Sequence, residues 1–301
     1  MKIAAAAYPL SWFESFADYE RKVAAWVADA AGQGADLLVF PEYGAMELAS
    51  LGGARVAGDQ EASLHEVARH RPEADALHVR LARAHDVLIL GASGPVFDAG
   101  LHKERPVNRA TLYGPEGVIG HQDKSMMTRF EREDWHVVAG RELTLFHTRL
   151  GRIGVSICYD SEFPLLARAL AEAGSEILLV PSATEALAGF TRVRVGAMAR
   201  ALENQMIVAH APVVGQAPWC AGMEENTGRA AIYGPPDHGF PPTGILAEGA
   251  LGVPGWVMAE VSVVAVAQVR ADGGVLNLSH WPEQEAPSKN LKTLRQAGES
   301  A

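Results

Sequence analysis

Three side chains in this chain carry chemistry that would work together, and each stands where an apolar run gives way to a polar turn. Cys158 lies in Gly154-Val155-Ser156-Ile157-Cys158-Tyr159-Asp160, an apolar strand running straight into polar residues. A thiol in mid-strand is an inert packing group. A thiol at the carboxyl end of a strand, where α/β sheets gather their ligand sites, is placed to act as a nucleophile. Glu42 ends the segment Asp36-Leu37-Leu38-Val39-Phe40-Pro41-Glu42-Tyr43. The four apolar residues after Asp36 read as a strand buried on both faces, and Pro41 stops it because it cannot donate to a sheet ladder. Lys124 follows an apparent hairpin, Arg109–Tyr113 and Val118–Gly120 around the turn Gly114-Pro115-Glu116-Gly117. Amide hydrolysis needs a nucleophile, a proton carrier and a cation or donor for the developing oxyanion. Taken singly, these residues read as a packing thiol, a solvated loop carboxylate and a surface lysine.

The elements that must position them alternate along the chain. Apolar runs predict strands at Lys2–Tyr8, Leu37–Phe40, Val87–Gly91, Ile153–Cys158, Ile177–Pro181, Met206–His210 and Val257–Val263. Helical patterns cover Phe16–Gly32, Ser63–His85, Leu165–Ala173 and Arg192–Asn204, with Gly32 and Gly174 as helix stops. Strand–helix alternation implies βαβ units with parallel strands, an α/β fold. The 301 residues contain no Pro/Gly/Ser-rich linker, so residues 1–282 read as one domain and the polar Glu283–Ala301 as an arm or tail.

Composition narrows the classes. With 48% apolar residues a core is available, yet no apolar run approaches the ~20 residues of a membrane span. A net charge of −10 without a basic cluster argues against nucleic acid. The Ala-rich start is broken by Pro9 and followed by Glu14, Asp18 and Glu20, and reads as a first strand rather than a signal peptide. Two cysteines, Cys158 and Cys220, form no CxxC and no disulfide framework, which points to the cytoplasm.

The motifs Phe40-Pro41-Glu42, Lys124 after a hairpin and Cys158-Tyr159-Asp160 occur in one order, Lys124 82 residues after Glu42 and Cys158 a further 34 on. In that order they resemble the carbon–nitrogen hydrolase (nitrilase) superfamily. The likeness runs from the first strand to about Val263 and takes in Phe163-Pro164, Ile177–Ser182 and Arg200–Gln205. The resemblance implies a four-layer α-β-β-α sandwich and a Cys–Glu–Lys site. In it Cys158 attacks, Glu42 relays protons, Lys124 holds the oxyanion with the Tyr159 N–H as second donor, and no metal or cofactor takes part. Glu42 and Lys124 are then expected to act on chemistry more than on folding. A carboxylate beside Cys158 should raise the thiol's pKa, giving a neutral thiol at rest. A second glutamate often follows the family's lysine. Spacing from Lys124 favours Glu131, counting back from Gly140 favours Glu133, and the first is preferred.

The resemblance points to the amidase branches, because Tyr159-Asp160 stands where nitrile-cleaving members often show Trp-Glu. The expected substrate is a small amide, with a nitrile or an N-carbamoyl compound as the alternative. Tyr159, Glu162 and Thr184 are the candidates for oxyanion and substrate contacts. Glu162 occupies the place where ω-amide relatives often carry Arg, so it either repels a substrate carboxylate or turns away to cap the next helix. The family's Glu after Phe-Pro is Leu165 here, and Phe190 stands for a frequent Trp. Gln216–Gly244 is expected to line or cover the mouth. Family members associate through helices such as Leu165–Ala173 and Arg192–Asn204, which implies a homodimer or larger homo-oligomer.

Other readings fare worse. His65 and His70 are one residue too far apart for HExxH and sit about 140° apart on a helix. Gly91-Ala92-Ser93-Gly94 lacks the GxSxG spacing, and no Walker A or GxGxxG occurs. A thiol-redox protein would need Cys220 as a resolving partner for Cys158.

Overall fold

Strand β1 (Lys2–Pro9) divides its side chains between two cores: Ile3, Ala5 and Ala7 join one apolar cluster, Ala4, Ala6 and Tyr8 the other. Period-2 alternation with both faces buried means a sheet covered on both sides. The structure is a computed structural model and describes residues 1–294.

The first half of the chain builds one sheet and its outer helices. Helix α1 (Phe16–Gly32) is followed by β2 (Leu37–Val39), a 3₁₀ segment over Gly44–Gly52, the short α2 (Ala54–Ala57) and α3 (Gln60–His85). Then come β3 (Leu88–Leu90), β4 (Gly94–Val96) and the hairpin β5 (Val107–Gly114) and β6 (Gly117–Asp123). β1, β2 and β3 run parallel, and β5 joins β3 antiparallel and carries β4 and β6. Tyr19, Val23, Val27 and Ala30 of α1 recur at helical spacing and are buried against this sheet, as are Leu64, Val67 and Leu77 of α3.

The second half repeats the plan. Helix α4 (Arg129–Glu133), β7 (Phe146–Thr148), β8 (Gly151–Val155), α5 (Pro164–Glu172), β9 (Ile177–Ser182), α6 (Leu187–Glu203) and β10 (Ile207–Gln216) follow in order. β8, β9 and β10 are parallel, and Ala167, Leu170, Val193 and Ala197 of α5 and α6 pack on them. After β11 (Glu225–Asn226), β12 (Ala231–Tyr233) and β13 (Ile245–Glu248) extend this sheet, while β14 (Gly255–Glu260) returns to β1. The two sheets meet where β1 pairs with β10 at Tyr8–Val213 and Pro9–Val214. The result is the four-layer α-β-β-α sandwich. Its central strands are parallel, so β2, β8 and β9 end on one side.

Several boundaries differ from expectation for local reasons. Helix α3 starts three residues before Ser63 because Asp59 caps it, its carboxylate accepting from Ala62 N at 2.8 Å. Helix α6 starts at Leu187, five residues before Arg192. The strand expected to reach Val263 ends at Glu260, and Ser262 caps α7 (Val263–Asp272). β10 runs on to Gln216 through Pro212, because β1 and β11 keep it paired. α1 ends at Gly32 as expected, with Gln33 as its C-cap and the left-handed turn at Gly34; after α5 the left-handed residue is Gly174. Of the polar arm, residues 283–294 are exposed, with a short helix at Glu285–Lys289; the rest lies outside the described residues. Among the described residues no helix is long and apolar enough to cross a membrane.

Candidate active site

The sandwich delivers the site residues through turns that start at neighbouring strand ends. β2 stops at Val39, and Pro41-Glu42-Tyr43 turns sharply, Tyr43 adopting a left-handed φ of 50°. The Ser93 hydroxyl holds this turn by accepting from Tyr43 N at 3.0 Å. β8 stops at Val155, three residues earlier than expected, and Cys158 opens a 3₁₀ turn over Cys158–Glu162, also with φ 50°. A non-glycine residue in that region stores roughly 1–3 kcal/mol, which the surroundings must hold. Ser161 Oγ donates to Cys158 O at 2.6 Å. Helix α6 packs so closely that a Cβ on Gly196 would meet Ser161 O at 2.8 Å.

Asp160 ties this turn to the loop carrying Lys124. Its carboxylate accepts from Ile157 N at 3.1 Å, Met126 N at 2.7 Å and Ser125 N at 3.1 Å. Burial pushes its pKa up to about 6. Lys124 itself follows β6, its N–H donating to Asn108 O at 2.9 Å and its carbonyl accepting from Gly140 N at 2.8 Å.

Lys124, 1% exposed, reaches between two carboxylates. Its Nζ donates to Glu42 Oε1 and to Glu131 Oε2, at 2.7 Å in each case. Glu42 also accepts from Asn108 Nδ2 at 3.0 Å and, through Oε2, from Ala183 N at 2.9 Å. Glu131 accepts from Tyr43 OH at 2.8 Å and from both the N–H and hydroxyl of Thr128 at 2.8 Å. The Ala183 carbonyl accepts from Cys158 Sγ at 3.7 Å, so one residue after β9 touches both the thiol and Glu42.

The proton affinities follow from this packing. Burial pushes Glu42 up to about 7, with Lys124 drawing it down and Glu131 pushing it up. Burial alone would raise Glu131 too, but Lys124 and the Thr128 donors leave it below the usual carboxylate range. Burial likewise opposes the Lys124 charge, yet Glu131 and Glu42 outweigh it and keep the ammonium protonated. The Cys158 thiol is held well above its ordinary value, by burial first and Glu42 second, against the pull of Lys124. The resting thiol is neutral. Such a set can deliver a thiol to an electrophilic carbon, take its proton on a carboxylate poised near neutrality and present a fixed cation.

A cavity of about 420 Å³ opens over these groups. Glu42, Lys124, Glu131, Cys158, Tyr159 and Thr184 all line it. Thr184 is tied by its hydroxyl to Thr227 O at 2.8 Å. Glu133 lies apart, exposed and paired with Arg129 at 2.8 Å. Glu162 does not cap α5, whose N-cap is Phe163 without a side-chain bond; it lines the cavity and faces Arg192 at 3.5 Å. Of the segment expected at the mouth, Gly222–Asn226 lines it, while Ala231–Tyr233 pairs with β10 instead. Phe190 is buried and stacks on His210, ring centroids 5.9 Å apart. Cys220 is a free, buried thiol against Met46 O, in the core opposite that of Cys158. His65 and His70 stack on different rings, Phe97 and Phe16.

Sequence reasoning missed Asn108, Ala183 and Arg192. It also passed over the one signal that separates Glu131 from Glu133. Thr128-Arg129-Phe130-Glu131 has the Thr-x-x-Glu spacing of a capping box, and the box is formed here. It fixes Glu131 inward over the first turn of α4.

Comparison with known proteins shows the family and the fold. The profile described as carbon-nitrogen hydrolase matches residues 2–236, most of the chain. The chain belongs to the carbon–nitrogen hydrolase family. A probable hydrolase, YhcX of Bacillus subtilis, is 30% identical over 92% of this chain and 53% of its own length. An (R)-stereoselective amidase of a Pseudomonas species is 33% identical over 63% of this chain and 62% of its own. The chain spans about half the length of the first curated relatives it matches. Among solved structures, Saccharomyces cerevisiae Nit3, of the nitrilase superfamily, superposes with a TM-score of 0.70 at 21% identity, over 90% of this chain and 93% of its own. An amidase of Nesterenkonia sp. AN1 in complex with acrylamide gives 0.67 at 20% identity, over 89% and 93%.

Proposed function

We propose that this protein hydrolyses a small amide through a thioester formed on Cys158. The observation that carries the reading is the floor of the cavity, where a neutral thiol and Glu42 both meet Ala183, and Lys124 is fixed between Glu42 and Glu131. Cys158 Sγ attacks the carbonyl carbon while Glu42 takes the thiol proton. Lys124 and the Tyr159 N–H hold the oxyanion. Collapse breaks the C–N bond as Glu42 returns the proton to the leaving nitrogen. Glu42 then draws a proton from water as its oxygen attacks the thioester carbon; the C–S bond breaks, the acid leaves, and Glu42 returns the proton to Cys158 Sγ. Acid–base steps of this type contribute ~10²–10⁴-fold, and loss of one oxyanion donor costs ~10²–10³. Glu131 positions Lys124, and Thr184 lies at the substrate's end of the cavity. A Glu-to-Gln mutant of a Nesterenkonia amidase shows Michael addition of acrylamide at its active-site cysteine, and the same addition is expected at Cys158.

The test is ammonia release from a panel of amides, nitriles and N-carbamoyl compounds by wild type and Cys158→Ala. Amide turnover that vanishes in the variant supports the reading; turnover that survives it ends it. We also propose a homo-oligomer, because Leu165 of α5 and Val195 and Leu202 of α6 are 72%, 58% and 44% exposed. Light scattering at micromolar concentration should give at least a dimer, and a monomer would remove this part.

A further inference from the structure

We infer that the mouth of this cavity selects amides that carry a cationic group, such as an ammonium, at the end away from the scissile bond. The inference rests on the amide-hydrolase reading for the bond that breaks, and on the mouth for the selection. Four carboxylates line the cavity above the floor: Glu162, Glu185, Glu224 and Glu225. Only Glu162 has a cation beside it among the described residues, Arg192 Nε at 3.5 Å, so that pair cancels. Glu185, Glu224 and Glu225 are exposed and leave the mouth with three uncompensated negative charges.

The floor offers a substrate carboxylate nothing in return. The buried cation in its lining, Lys124, is already met by two carboxylates at 2.7 Å. Between floor and mouth the walls carry the rings of Tyr43, Phe130, Trp135 and Tyr159. Aromatic faces attract ammonium groups, and their attraction adds to that of the rim. Trp135, 2% exposed, also buries an indole Nε1–H that has no partner among the described residues. The charge at the mouth decides the sign of a bound molecule's far end.

Arg192 is the counter-argument, since a guanidinium at the rim can hold a carboxylate. Its side chain is 62% exposed and faces Glu162, so the test must include it.

Three matched probes separate the cases: pentanamide, 5-aminopentanamide and 5-amino-5-oxopentanoate. In wild type at low salt, kcat/KM for 5-aminopentanamide should exceed that for the carboxylate-bearing amide by about tenfold or more, and the ratio should shrink at 1 M salt, where the Debye length falls to about 3 Å. Glu185→Gln/Glu224→Gln/Glu225→Gln should bring the ratio to within about twofold, and Arg192→Gln should widen it. A wild type that prefers the carboxylate-bearing amide, or a ratio indifferent to salt, overturns the inference. If none of the three is turned over, calorimetry on Cys158→Ala still decides it: tighter binding of 5-aminopentanamide upholds the mouth while the hydrolase reading is reassessed. Equal or weaker binding removes it.

Discussion

The floor and the mouth of the cavity use the same residue type to opposite ends. At the floor, Glu42 and Glu131 are buried, and their acceptors are engaged by Lys124, Asn108, Thr128, Tyr43 and Ala183 N–H. At the mouth, Glu185, Glu224 and Glu225 are exposed, with no cation paired to them among the described residues. Burial pushes Glu42 up to about 7, whereas Lys124 and the Thr128 donors outweigh burial at Glu131 and leave it low, which suits the first to moving a proton and the second to holding Lys124. Exposed carboxylates keep full charge and act by long-range attraction, which salt weakens. In the proposed reading, desolvation makes a carboxylate a reagent and exposure makes it a filter.

The largest effects belong to the floor. Lys124→Ala and Glu42→Gln should each lower kcat by ~10²–10⁴-fold. Their stabilities should diverge, which revises the expectation that both leave folding alone. Removing Lys124 strands two buried carboxylates and should cost about 3–5 kcal/mol in a denaturant melt. Glu42→Gln keeps the shape and leaves Lys124 paired with Glu131, so its melting temperature should stay near wild type. Equal stability of the two variants would break the comparison.

Next comes the second glutamate. Glu131→Gln removes the charge that fixes Lys124 and should lower kcat by about 10²-fold, the size of effect that misplacing a catalytic group can have. Glu133→Gln touches only Arg129 on the surface and should leave kcat unchanged. Similar losses in both would contradict the assignment.

The pH profile gives a smaller but sharper effect. The proton on Glu42 is lost as pH rises through about 7, so kcat/KM should fall as pH drops below that value, and the limb should be absent in Glu42→Gln. Stability runs the other way. A carboxyl whose folded pKa is raised from 4.5 to about 7 binds its proton better folded than unfolded, so its contribution to stability is present at low pH and is lost as pH rises through about 7. An acid limb near the ordinary carboxylate range would place the working base at an exposed Glu instead. Smallest of all, a single Glu224→Gln should change the preference for cationic over anionic amides by a few-fold only, because exposed charges are screened.

Much of the fold was legible in the residues. β1, β2 and β9 are apolar runs with clear stops, and α1 matches its apolar spacing to the residue. Glu42, Lys124 and Cys158 were legible because each ends such a run. What escaped was long-range or set by caps. Asn108 sits inside β5, and the sheet order β5-β3-β2 brings it to Glu42. Arg192 belongs to α6, whose meeting with the Cys158 turn depends on the bare Cα of Gly196. Ala183 acts through its backbone, which no side-chain motif can reveal. Glu131 was the avoidable ambiguity, since Thr128 three residues before it carries the signal.

The most direct measurement is peptide mapping of the protein after brief exposure to acrylamide, with and without an amide substrate. A thiol at the floor of a substrate cavity should be labelled once, at Cys158, and protected by the substrate. Cys220, packed against Met46 O and outside the cavity lining, should stay unlabelled. Labelling of Cys220 in place of Cys158, or labelling of Cys158 that no turned-over amide slows, would contradict the claim that Cys158 is the nucleophile.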